Sequence, residues 1–221
     1  MPVRIFKASI RKNPFIGAYV ALHGKRALVS PVVTQSFKKN LREVLGVEYI
    51  ASSTVGLVYS VNVMVAMNSN GIILPKTISE EELEEISNLK IPKLVVQSKL
   101  LAWGNLVVAN DKGCVISDYV PNEEASKIAD FLGVDWIRIS VGNYHSIGPF
   151  FAVSNEFGLA STLVKPETLE KVAEVLKIKI VPTTLNGGEV LVKLGALVHD
   201  NAILVGKRTS GTELLNISAL S

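Results

Sequence analysis

Residues 106–139 read LVVANDKGCVISDYVPNEEASKIADFLGVDWIRI, and they hold every part of a repeating unit. An apolar run at 106–109 leads into Asn110-Asp111-Lys112-Gly113, residue types that accept the positive φ of a hairpin turn. The apolar run resumes at 114–116, and Pro121-Asn122 then marks a helix start. Ala125, Ile128, Ala129 and Leu132 follow at the i, i+3, i+4, i+7 spacing of one buried helical face. Gly133 stands where a left-handed C-terminal cap belongs, and 134–139 is a further strand. The order is strand, hairpin, strand, helix, strand.

Working outward, the same order recurs along the chain. Hairpins at 67–71 and 154–158 match the one at 109–113, flanked by apolar strands at 61–65 and 72–74 and at 149–153 and 159–160. The first and last units carry weaker turns at 22–25 and 199–201, as terminal repeats often do. The turn exits Ala27, Gly71, Gly113, Gly158 and Ala202 are spaced by 44, 42, 45 and 44 residues. Ser79 with Glu82, and Ser210 with Glu213, fit capping boxes, Lys165-Pro166 opens a helix, and Gly46, Lys90 and Lys177 match Gly133 as helix ends. One helix per unit argues against a WD-type propeller, whose blades are four strands.

The ends of the chain complete the pattern. A strand at 3–10 has no helix before it, and a helix at 212–220 has no strand after it. The N-terminal strand therefore completes the fifth unit and removes the exposed sheet edge. The expected fold is an α/β ring, closed and five-fold pseudosymmetric, of β-β-α-β units about 44 residues long. It forms a single domain over 1–221, with units at 11–50, 51–97, 98–140, 141–182 and 183–221 plus 1–10.

Apolar residues make up 48% and charged residues 19%, enough for a large shared core and too apolar for disorder. No run approaches the roughly 18 apolar residues of a membrane span, and the start Met1-Pro2-Val3-Arg4 lacks a signal-peptide core. The lone Cys114 rules out an internal disulfide and suits a reducing cytoplasm. A net charge of +3 with scattered basic pairs makes any nucleic-acid contact a secondary one.

Five-unit rings of this kind resemble the pentein fold, whose guanidino-group hydrolases and amidinotransferases set Cys, His and carboxylates around a central channel. That chemistry needs an activated thiolate and a nearby base. Cys114 lies in a Cys-Val-Ile strand and fits a small buried hydrophobe, while none of His23, His145 and His199 pairs with it by spacing. There is no metal-ligand cluster and no phosphate loop, so no cofactor, no metal and no catalytic residue is expected.

Four motifs in order point to a family. Ala102-Trp103-Gly104-Asn105 with Asn110-Asp111, Gly71-Ile72-Ile73-Leu74-Pro75 with Glu82-Leu83, Thr184-Leu185-Asn186-Gly187-Gly188, and Thr209-Ser210-Gly211-Thr212-Glu213-Leu214 are similar to segments of archaeal and eukaryotic translation initiation factor 6. Trp103 stands for the family's usual Leu, Ser161-Thr162 for His-Pro and Asn201-Ala202 for Lys-Gly; ending directly after the last helix, the chain also resembles members without the extended C-terminal tail. The resemblance implies a pentein-fold ribosome anti-association factor: a cytoplasmic monomer, not an enzyme, that binds a ribosomal protein surface on the large ribosomal subunit, with rRNA nearby, and keeps the small subunit from joining. It also implies a part in ribosome biogenesis. The alternative is a pentein hydrolase or transferase acting on guanidino compounds. The candidate docking residues lie where the chain enters each first strand: Gly17, Tyr59, Asn62, Trp103, Gly104, Asn105, Asn186 and Gly188.

Overall fold

The computed structural model describes residues 3–220. It contains five three-stranded sheets: Val20–His23, Arg26–Val29 and Tyr49–Ser52; Ala66–Met67, Ile72–Pro75 and Lys93–Val96; Val107–Ala109, Gly113–Ser117 and Asp135–Ile139; Phe151–Val153, Phe157–Ser161 and Lys179–Thr183; and Ala196–His199, Ala202–Gly206 and Arg4–Ala8. In every sheet the middle strand pairs antiparallel with its hairpin partner. Its other edge pairs parallel with the strand on the far side of the helix. The fifth sheet gets that parallel strand from the N-terminus, with Arg4 opposite Ala202 and Ala8 opposite Gly206. The expected ring closure is present.

The helices Gln35–Leu45, Glu80–Ile86, Asn122–Leu132, Pro166–Leu176 and Gly211–Ser218 start and stop for local reasons. Ser79 with Glu82 and Ser210 with Glu213 both form complete capping boxes. Gly46, Gly133, Lys90 and Lys177 all close their helices in the left-handed region.

Alternation along the strands explains why the units cannot stand alone. Successive side chains point to opposite faces. Val20, Ala27 and Val29 therefore join Leu197, Ala202 and Leu204 of the fifth unit, while Ala21, Leu28 and Ala51 join the second. The same sharing makes five cores, each between two neighbouring units. The innermost strands touch in cyclic order, the last against the first.

Two sequence expectations need correction. Neither 61–65 nor 149–153 is one strand: Val61–Met64 is a helical turn before the strand Ala66–Met67, and Gly148–Phe150 is one before Phe151–Val153. Equivalent turns, Ile16–Ala18, Trp103–Leu106, Gly148–Phe150 and Val192–Gly195, precede the other first strands, and the five pack as a second, inner ring. The hairpin register also shifts. Leu22 faces Ala27, Met67 faces Ile72 and Val153 faces Gly158, so the residues equivalent to Gly71 and Gly113 are Arg26 and Phe157, one position before Ala27 and Gly158.

Candidate functional site

The ring encloses a central cavity of about 70 Å³. Its walls are mainly small and aliphatic side chains of the innermost strands, such as Ala21, Val65, Val108 and Ala152. At one mouth the helical turns meet. Gly17, Asn62, Gly104, Gly148 and Lys193 occupy the same place in the five turns, and the glycines there pack on a neighbour's backbone. A Cβ on Gly104 would lie 2.0 Å from Asn62 O, one on Gly148 2.0 Å from Gly104 O, and one on Gly17 1.9 Å from Lys193 O. Only glycine tolerates such an approach. The two side chains at this level make polar contacts: Asn62 Nδ2 donates to Gly17 O at 2.7 Å. Lys193 Nζ reaches from the fifth unit to Gly104 O of the third, not a neighbour in the ring, at 2.6 Å. Burial pushes the Lys193 amine down to about 8.

The hairpins close the other mouth. Asn68 and Asn110, both fully buried, each cap their own turn through Oδ1 and donate through Nδ2 to the next unit: Asn68 to Asn110 O and Leu132 O, Asn110 to Ser154 O and Leu176 O. His199 Nε2 lies 3.0 Å from Gly24 O and joins the last unit to the first. Asp111 gathers Ser69 N, Ser69 Oγ, Asn155 Nδ2 and His23 Nε2, all within 2.9 Å. Burial alone would raise the Asp111 carboxyl, but the bond and charge of His23, with the Ser69 bonds, hold it well below the usual carboxylate range.

The face of the disc beside the helical turns carries tight turns at 10–13, 55–58, 141–144 and 185–189. These hold Arg11, Lys12, Leu57 and Asn186 at positive φ, unusual for residues with side chains. Two of them are tied down by the capping-box glutamates. Glu82 accepts from Thr54 Oγ1, Gly56 N, Leu57 N and Ser79 N; Glu213 accepts from Thr184 Oγ1, Gly187 N, Gly188 N and Ser210 N. Tethered this way, Leu57 stands 84% exposed next to Tyr59 at 55%.

The expected docking residues divide between this face and the interior. Tyr59 and Gly188 are exposed, and Asn186 is half-buried with its amide on Pro14 O. Asn105 is half-buried and lines a groove with Leu101, Tyr119 and His145. His145 Nδ1 meets Asp118 Oδ1 at 2.7 Å and its ring lies 5.4 Å from that of Tyr119. Asn62 lines the cavity. Gly17 and Gly104 are buried against neighbouring turns, Gly17 on Lys193 and Gly104 on Asn62, and Trp103 is completely buried in the core between the second and third units, so close packing accounts for all three. Leu57 and Tyr144 are exposed on the same face and were not among the expected residues. A Thr-x-Gly or Thr-x-Asn-Gly segment preceding a Ser-x-x-Glu box was the signal that could have found Leu57.

A model of the eIF-6 family matches residues 5–220. The chain belongs to the eIF-6 family. Among curated relatives, the protein named translation initiation factor 6 of Staphylothermus marinus is 32% identical over 219 residues, covering 97% of this chain and 96% of its own length. That of Thermococcus onnurineus is 35% identical over 221 residues, with the same coverage. Among solved structures, a dimethylarginine dimethylaminohydrolase adduct with S-methyl-L-thiocitrulline aligns with a TM-score of 0.51 at 14% identity, over 76% of this chain and 68% of that one. This likeness shows the shared ring fold. In this eIF-6 family chain Cys114 is fully buried in an apolar core, and burial pushes its thiol well above the usual range. Among the described residues no three His, Cys, Asp or Glu side chains form a metal-holding group, and no helix is long and apolar enough to cross a membrane.

Proposed function

We propose that this protein binds the large ribosomal subunit and blocks its joining to the small subunit by bulk alone, as a monomer in the cytoplasm, without catalysis. The observation that carries the reading is the family match over residues 5–220, together with relatives named translation initiation factor 6 along almost their whole length. The geometry supports it. Steric exclusion needs a stiff body and an interface of about 800 Å² per partner. A doubly closed ring supplies stiffness, and the face with the tethered turns presents Leu57, Tyr59, Asn105, Tyr144 and Gly188 in fixed positions, which lowers the entropy lost on docking. The main partner is a ribosomal protein surface, with rRNA alongside. The same stiffness suits a role during subunit maturation.

The test is sedimentation with purified large subunits, followed by a subunit-joining assay. The protein is expected in the large-subunit fraction and joining is expected to fall. Leu57→Asp with Tyr59→Ala should weaken both effects at least tenfold while leaving thermal stability unchanged, because both side chains project into solvent. Migration free of the large subunit at every salt concentration would sink the reading. The guanidino hydrolase alternative needs an accessible thiolate, and Cys114 is buried in a strand away from the cavity lining.

A further inference from the structure

The strongest break in the ring's symmetry is Lys193. In the five equivalent positions the chain places Gly17, Asn62, Gly104, Gly148 and Lys193, so a place that packing reserves for glycine at three interfaces carries a lysine at one. Its ammonium has three N–H donors. One goes to Gly104 O at 2.6 Å. Asn62 has two amide donors, and one goes to Gly17 O. Both side chains line the central cavity, and among the described residues that line it there is no Asp, Glu or His. The remaining wall atoms are those of Val, Ala, Leu, Met and Phe side chains and their backbone.

A half-buried cation that faces an apolar cavity without a counter-charge favours whatever neutralises it. The cavity has surplus donors and a positive charge at one end, apolar walls, and about 70 Å³ of space. Cations are repelled by this arrangement. The few N–H donors left at this end, on Lys193 and Asn62 alone, do not satisfy the several oxygens of a sulfate or phosphate and suit a single-atom anion. With the amine at about 8, Lys193 is mostly protonated at neutral pH. We propose that the centre of the ring is a binding site for one small monovalent inorganic anion of chloride size, held by Lys193 Nζ and the free amide N–H of Asn62. The site is independent of the outer docking face. Its occupant links the fifth unit to the second and third across the hole and so stiffens the disc.

The test compares thermal unfolding near neutral pH in sodium chloride and in sodium gluconate at equal ionic strength, for the wild-type protein and Lys193→Met. Chloride that binds only the folded state raises the midpoint. The wild type should melt several degrees higher in chloride, and Lys193→Met should melt at the same temperature in both salts. Equal midpoints for the wild type in the two salts overturn the proposal. Chlorine NMR gives a direct readout on the same proteins: line broadening by the wild type that Lys25→Met, an exposed control, retains and Lys193→Met loses. Should Lys193→Met fail to fold, a bromide-soaked crystal of the wild type decides. An anomalous peak beside Lys193 Nζ supports the site, and bromide only on the outer surface, or ordered water alone in the cavity, refutes it.

Discussion

Adding one methyl group at Gly104 should strain the whole ring. In Gly104→Ala the new Cβ would sit 2.0 Å from Asn62 O, 2.6 Å from Val65 O and 2.9 Å from Asn62 C, all backbone atoms with no rotamer to escape into. Ordinary contact begins at 3.4 Å, so the nearest pair is 1.4 Å too close. Moving the Trp103–Leu106 turn away from Asn62 drives Gly104 O toward Gly148, whose own Cα already packs tightly on it. Moving the Val61–Met64 turn instead disturbs the Asn62 bond to Gly17 O. A closed ring has no free end to absorb the shift. Overpacking of this kind costs about 3 kcal/mol, at the upper end of the usual range, which lowers the melting temperature by roughly 6–12 °C in a chain of this length. Urea denaturation of Gly104→Ala checks it against Gly211→Ala, at a helix start with nothing within 4 Å, which should gain about 0.4–1 kcal/mol. A Gly104→Ala protein within about 0.5 kcal/mol of wild type would refute the tight inner ring.

Asn110→Ala should cost about 3 kcal/mol in urea unfolding, because it strips a fully buried side chain from Ser154 O, Leu176 O and two turn N–H groups. Glu213→Gln should lose about 2 kcal/mol near neutral pH by weakening the cap and the tether to Gly187 and Gly188. The Glu213 carboxyl, which burial alone would raise, is lowered to about 2 by bonds from Ser210, Gly188, Thr184 and Gly187. A depressed carboxylate stabilises above its ordinary value of 4.5 and loses that contribution as pH falls toward about 2. Wild-type urea midpoints should drop through that window, and those of Glu213→Gln should drop less. Cys114 should resist an uncharged alkylating reagent in the folded protein and react at once in denaturant, as mass spectrometry can follow; rapid labelling of the native state would reopen the hydrolase reading.

Local chemistry made much of the architecture legible. Ser79 with Glu82 and Ser210 with Glu213 announced two helix starts, Asn-Asp-Lys-Gly at 110–113 announced a hairpin, and the unmatched strand at the N-terminus found its place beside Ala202–Gly206. What stayed hidden depends on contacts between units. Val61-Asn62-Val63-Met64 has the composition of a strand, yet packing among the five inner turns makes it helical, a tertiary override of propensity. Trp103 and Gly104 sit in the motif that best marks the family, and they are interior residues; the flanking Ala102 and Asn105 reach the surface groove. The reach of Glu82 back to Thr54, and of Glu213 back to Thr184, spans 28 and 29 residues with a whole hairpin between, so it shows only when the Thr segment and the distant Ser-x-x-Glu box are read together.

In a ring of near-identical units, the residues that repeat explain why it closes, and those that do not repeat must explain what it does. The shared cores, the glycine contacts and the buried hairpin amides of Asn68 and Asn110 recur because each interface faces the same packing problem. A partner, by contrast, meets the disc in one orientation, so its footprint has to be written in departures from symmetry. Leu57 is such a departure: a large apolar side chain at positive φ, where the turns at 10–13 and 185–189 place Lys12 and Gly187. Holding it there requires a carboxylate, and Glu82 supplies one from the next helix with bonds of 2.6 to 3.0 Å. Glu82→Gln should therefore weaken large-subunit binding without touching the interface itself, by freeing the 55–58 turn. A partner-binding loss in Glu82→Gln that matches Leu57→Asp, with intact binding in Glu124→Gln on the third helix, would tie docking to the turn; equal binding by all three would separate them.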